Sequence, residues 1–129
     1  MKFIISENRV YDYILKYINS KYEPDKINWS YAFDDDGNET DIGAVFYAGN
    51  FSDDGDLFRW YSKDYWLTDD FGNENEEKIK RLVEESPILM IYSDDDYDTF
   101  ENLFGNRWKP ILAEWFEDNF GFPVKTIKK

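Results

Sequence analysis

INWSYAF at residues 27–33, IGAVFYA at 42–48 and LFRWYS at 57–62 are three short apolar and aromatic runs, separated by DDDGNETD (34–41) and GNFSDDGD (49–56). In the first run Trp29, Tyr31 and Phe33 alternate with Ser30 and Ala32, the period of two that a half-covered strand requires. The other two runs are similarly rich in aromatic and β-branched residues, which suit a pleated surface. Both separators are dense in Asp, Asn and Gly, residues that tolerate left-handed backbone and cap turns. The stretch therefore predicts a three-stranded antiparallel meander with both loops facing solvent.

On the N-terminal side, Val10, Ile14, Tyr17 and Ile18 fall at i, i+4, i+7 and i+8, so an amphipathic helix is expected from a Ser6 cap to about Tyr22, with Glu7 in its first turn. On the C-terminal side, polar residues 68–75 lead into a second helix with an apolar stripe of Ile79, Leu82 and Val83, acidic Glu76 and Glu77 in its first turn, and a stop at Ser86-Pro87. Ile88-Leu89-Met90-Ile91-Tyr92 is continuously apolar, the pattern of a strand covered on both faces, and is expected to be the innermost strand. A short helix follows, capped by an aspartate, with Phe100, Leu103 and Phe104 inward and Gly105 closing it. Trp108, Ile111, Leu112, Trp115, Phe116 and Phe120 then define one fully apolar helix face. Asn106 is its expected cap, Pro110 lies in its first turn, Gly121 is its left-handed stop, and Val124–Ile127 can add an edge strand. The fold class is α+β: a single domain over residues 1–129, an antiparallel β-meander plus a buried strand, packed with amphipathic helices.

Composition excludes more chemistry than it suggests. The 129 residues include 28 acidic and 15 basic side chains, no histidine and no cysteine, for a formal net charge of -13. The length and the 42% apolar content suit one core. Disulfides, thiolate nucleophiles and cysteine-ligated metals are ruled out, as are histidine general bases and ligands. Direct nucleic-acid binding and anionic membranes are disfavoured by the charge. The longest apolar run, Pro87–Tyr92, is far short of a bilayer span. The N-terminus turns polar at Ser6, too early for a signal peptide, so a cytoplasmic location is expected, the host cytoplasm if the chain is phage-encoded, with a virion as a later carrier.

Asp94, Asp96 and Asp98 stand at alternate positions, as do Asp34, Asp36 and Asn38, like the oxygen ligands of a calcium loop. The EF-hand pattern fails at its glycine and its terminal glutamate: from Asp94 those positions are Thr99 and Gly105, and from Asp34 they are Glu39 and Val45. No metal and no cofactor is expected. Two carboxylates could supply an acid and a base, yet no motif selects a pair among 28. Trp29, Tyr31, Trp60, Tyr61, Tyr65 and Trp66 could stack on a sugar or base, but alternation along strands sends them to opposite faces, and core packing is the simpler role. The acidic bunching is different. Asp34, Asp35 and Asp36, with Asp53, Asp54 and Asp56, and Asp94, Asp95 and Asp96, concentrate negative charge at expected loop tips, where it can steer a basic partner.

The opening Met1-Lys2-Phe3-Ile4-Ile5-Ser6-Glu7 resembles the start of many small uncharacterised proteins of tailed bacteriophages. The segment from Phe104-Gly105-Asn106-Arg107-Trp108-Lys109-Pro110 through Trp115-Phe116 to Gly121-Phe122-Pro123-Val124-Lys125 is similar to C-terminal segments of the same group. The resemblance covers roughly a quarter of the chain. It implies a phage origin and a partner among virion components or host defence proteins, and it assigns no site residue. The expected function is a non-catalytic, acidic protein-binding domain, a phage accessory or virion-associated protein whose partner presents a basic surface. A nucleic-acid-mimicking inhibitor of a host defence or DNA- or RNA-processing protein is the alternative, and a carboxylate-based enzyme the third. Oligomeric state is left open.

Overall fold

A computed structural model describes residues 2–33, 36–48, 56–67 and 75–129, with side chains from Arg9 onward. Its strands are β1 (Ile27–Phe33), β2 (Glu39–Ala48), β3 (Asp56–Tyr61), β4 (Ile88–Ile91) and β5 (Thr126–Lys128), in the spatial order β1-β2-β3-β4-β5. The first four pair antiparallel, with Trp29 opposite Phe46, Phe46 opposite Phe58 and Phe58 opposite Ile91. β5 pairs parallel to β4. Parallel neighbours need a long crossover, and the intervening helices α3 (Asp94–Phe104) and α4 (Trp108–Phe120) supply it. The protein is α+β, with the expected meander in place.

One sheet face carries Phe46, Phe58, Trp60, Leu89, Ile91 and Ile127, all buried. Against it lies α4, whose Trp108, Ile111, Leu112, Trp115 and Phe116 are the predicted stripe and are all buried. Helix α1 (Lys2–Lys21) adds Ile14 and Ile18, each with no exposed surface, and Tyr22 follows it into the same core. The packing is aromatic throughout: Phe116 meets Phe46 at 4.7 Å and Phe58 at 5.6 Å, while Phe100 of α3 stacks on Trp108 at 4.7 Å. Edge-to-face and offset pairs of this kind add about 0.5–1.5 kcal/mol each beyond burial. The other sheet face is partly covered by a 3₁₀ turn at Lys63–Leu67 and by α2 (Glu76–Glu85).

Five local expectations are corrected. Helix α1 begins at Lys2, so Ser6 lies inside it and does not cap it. The β4 strand is fourth of five and β3 is the middle one. Its unbroken apolar run reflects cover on both faces: Leu89 faces the main core, while Ile88 and Met90 face α2. Ser93, not an aspartate, caps α3, its hydroxyl accepting from the Asp96 amide. Leu103 is 56% exposed, because α3 turns Tyr97, Phe100 and Phe104 toward the core and Leu103 lies to the side of that stripe. The α4 cap position is Arg107, without a side-chain hydrogen bond, and Asn106 precedes it. Gly121 does close α4, in the left-handed conformation at φ 79°.

Candidate functional site

Strand direction sorts the acidic clusters onto two ends of the sheet. Asp36 follows β1 at the end where Phe33 pairs with Glu39. Asp56 begins β3 at the opposite end, opposite Tyr47, and the Tyr92 amide donates to the Leu57 carbonyl there, so α3 starts beside it. β2 runs the distance between the two ends, and at about 3.3 Å per residue its length is roughly 30 Å. That exceeds three Debye lengths at physiological salt, so the two ends act as separate fields. Asp34, Asp35, Asp53 and Asp54 lie outside the described residues.

At the α3 end, two of the predicted aspartates serve the fold. Asp56 accepts from Arg59 twice, at 2.8 Å from Nε and 2.7 Å from the guanidinium terminus, and its side chain is only 10% exposed. The same guanidinium lies 5.0 Å from the Tyr92 ring centroid. Asp96 receives Lys21 Nζ at 2.8 Å, and the Tyr22 hydroxyl donates to its other oxygen at 3.4 Å. These contacts join the end of α1 to the start of α3. Burial, reinforced by the Asp96 carboxylate, pushes the Tyr22 phenol well above the ordinary tyrosine range. Outside this node, Asp98 pairs with Lys129 at 2.9 Å.

Asp94 and Asp95 remain exposed. They sit in the first turn of α3, not on a loop tip, where the amide ends of the helix favour negative charge. Tyr92, 55% exposed, precedes them. The result is a helix start pinned by Ser93 and Asp96 that holds two carboxylates and an aromatic ring outward. Such a surface can attract and seat cations.

The internal cations of this end escape sequence reading. Tyr22 and Asp96 are 74 residues apart, and nothing in local pattern links them. Arg59 and Asp56 stand at i,i+3, a spacing that on a strand sends side chains to opposite faces, so the sequence does not announce this pair either.

The six candidate stacking aromatics divide between the faces. Trp29, Tyr31 and Trp60 meet Phe122 on the core side, and the Trp60 indole donates to the Pro123 carbonyl at 2.8 Å. Trp29 stays 39% exposed because β1 is an edge. On the other face Tyr61, Tyr65 and Trp66 pack on one another with centroids 4.5–5.0 Å apart and planes inclined by 46–86°. Tilted rings packed together make no flat platform. Tyr65 lies over Gly43, where an added Cβ would meet its ring at 3.3 Å, so this glycine makes room for the cluster.

Among the described residues, no three Asp or Glu side chains come together in a way that could hold a metal ion. No described helix is long and apolar enough to cross a membrane. No protein-family model, curated protein or solved structure matches the chain.

Proposed function

We propose that the protein is a non-catalytic binding domain that docks a partner with a basic surface through the α3 end of its sheet. The supporting observation is the division of labour among the aspartates: Asp56 and Asp96 are spent on Arg59, Lys21 and Tyr22, and this fixes the backbone from which Asp94 and Asp95 project. A fixed pair of carboxylates beside an exposed tyrosine suits protein recognition, since it lowers the ordering cost of binding and adds an amphipathic ring. The excess of acidic over basic residues, 28 to 15, extends the field into solvent and speeds encounter. The resemblance of both terminal segments to tailed-phage proteins supports a role as an accessory or virion-associated protein. Nucleic-acid mimicry gains less support, because Arg59, Lys21 and Lys129 interrupt the row of negative charge that a duplex would present.

Affinity capture from phage-infected cells, followed by association kinetics with the captured protein, tests the proposal. Asp94→Asn with Asp95→Asn should slow association several-fold at low salt, with the difference shrinking as salt rises to physiological strength. The substitution of Asp36 should act separately, given the distance between the ends. A partner whose association rate is indifferent to both the double substitution and salt would overturn the assignment.

A further inference from the structure

A cavity of about 230 Å³ under α2, walled by Trp66, Ile79, Leu82, Ile88 and Met90, lies on one side of the sheet. On the other side, β5 and α4 bound a larger cleft of about 530 Å³. One wall of this cleft is a single face of α4, where Pro110, Ala113, Glu114 and Glu117 fall at i, i+3, i+4 and i+7. The opposite wall includes both Thr126 and Ile127 of β5. Neighbouring side chains on a strand point to opposite faces, so a surface that touches both residues runs along the strand's edge. The Thr126 amide donates to the carbonyl of Pro87, just before β4, at 3.2 Å. By alternation, the N–H and C=O of Ile127 point the other way, toward the open edge. β5 is the outermost strand, and among the described residues no strand lies beyond it.

An open edge is a template for another extended chain, and a helix alongside makes it a groove: the edge supplies main-chain hydrogen bonds, and the helix meets alternate side chains of the added strand. The surrounding charges select that strand. Lys125 donates to the Glu84 carbonyl at 2.6 Å and Lys128 pairs with Glu85, so both lysines are drawn to the end of α2 on the far face of the sheet. Lys109 meets Glu101 at 3.5 Å and lies over the Tyr97 ring. Glu114 and Glu117 stand exposed on the α4 rim, one turn apart. A second copy of the chain would bring its own Glu114 and Glu117 toward these carboxylates, whereas a basic segment meets opposite charge. We propose that the cleft takes an extended basic segment of a partner protein, which adds to β5 as a sixth strand with lysine or arginine side chains toward Glu114 and Glu117. The site is separate from Asp94 and Asp95 and does not rest on their role.

The probe is the capped peptide acetyl-Lys-Val-Lys-Val-Lys-Val-amide, which at about 3.3 Å per residue is long enough to cover the strand. Titrated into ¹⁵N-labelled protein at low salt, it should shift the Ile127 amide resonance and slow its hydrogen exchange, with a dissociation constant on the order of 1 mM. The same peptide with glutamate in place of lysine should bind about fivefold more weakly or worse. Methylating every main-chain nitrogen of the basic peptide keeps its charge and removes its donors, and should abolish the protection of Ile127. Glu114→Gln with Glu117→Gln, both on an exposed face, should weaken the basic peptide about fivefold and leave the fold intact. An Ile127 amide untouched by the basic peptide, equal binding of the basic and acidic peptides, full protection by the methylated peptide, or unchanged affinity in the folded double variant would each overturn the proposal. Protection of Ile127 that rises with protein concentration alone would overturn it too, since a second copy would then occupy the edge.

Discussion

Replacing Tyr22 with phenylalanine keeps a ring that is 3% exposed and lies 4.7 Å from Phe58 and 6.1 Å from Trp115, and removes only the hydroxyl. Near neutral pH the loss is small. The hydroxyl reaches Asp96 at 3.4 Å, long for an O–H···O bond, and Lys21 already meets that carboxylate at 2.8 Å, so a cost of no more than about 1 kcal/mol is expected. The alkaline range reverses the order. An unfolded tyrosine ionises near pH 10, whereas burial and the Asp96 charge hold folded Tyr22 protonated well above that value. Between the two values the folded state binds one proton more than the unfolded state, so stability falls by about 1.4 kcal/mol per pH unit. The contribution of the raised group is complete below pH 10 and is lost as pH climbs beyond it. By pH 11 the wild-type protein should have lost about 1.4 kcal/mol that the phenylalanine variant keeps, making the variant at least as stable. Urea unfolding of both proteins from pH 7 to 11 measures this, and the difference cancels the nine other tyrosines and the lysines common to both. A difference that stays constant across the range would mean that Tyr22 titrates normally, and the packed node between α1 and α3 would be wrong.

Trp115→Ala should destabilise the fold by about 3–5 kcal/mol in denaturant unfolding, since the residue is 3% exposed and its indole donates to Asn19 at 2.8 Å; a loss under about 1 kcal/mol would make the α4 stripe a surface. Ser86→Ala strands the Trp66 indole N–H in a buried place and should cost about 1–3 kcal/mol, with Ser86→Thr costing less if its hydroxyl restores the bond. Gly121→Ala meets no atom within 4 Å, so its cost is only the positive φ of 79°, about 1 kcal/mol, read as a fall of a few degrees in Tm.

Local pattern determined the α+β class, the meander, the α4 stripe and its glycine stop. Periods of 2 and 3.6 report which side of an element is covered, and turn chemistry reports where it ends, so Trp29–Phe33 and Trp108–Phe120 could be read without neighbours. The same signals misplaced β4, because a doubly covered strand looks alike in the middle of a sheet or one place from its edge. Leu103 differs for another reason: α3 meets the core through Tyr97, Phe100 and Phe104, at i, i+3 and i+7, and Leu103 stands to the side of that stripe.

The candidate site depended on tertiary structure to a greater degree. Charge density along the chain picked out Asp34–Asp36, Asp53–Asp56 and Asp94–Asp96 as equals, since sequence records how many carboxylates there are but not which cations reach them. Folding brings Lys21 and Tyr22 to Asp96 and turns Arg59 back onto Asp56, and strand direction carries Asp36 to the far end of the sheet. The cavity under α2 was equally invisible, because a stripe of Ile79 and Leu82 predicts burial, whereas the space between that stripe, Ile88, Met90 and Trp66 of the 3₁₀ turn is set by the packing of elements distant in sequence. Composition and periodicity act within a few residues of one another. The choice of charge partner and the distance between layers are set by contacts that close only when the whole chain has packed.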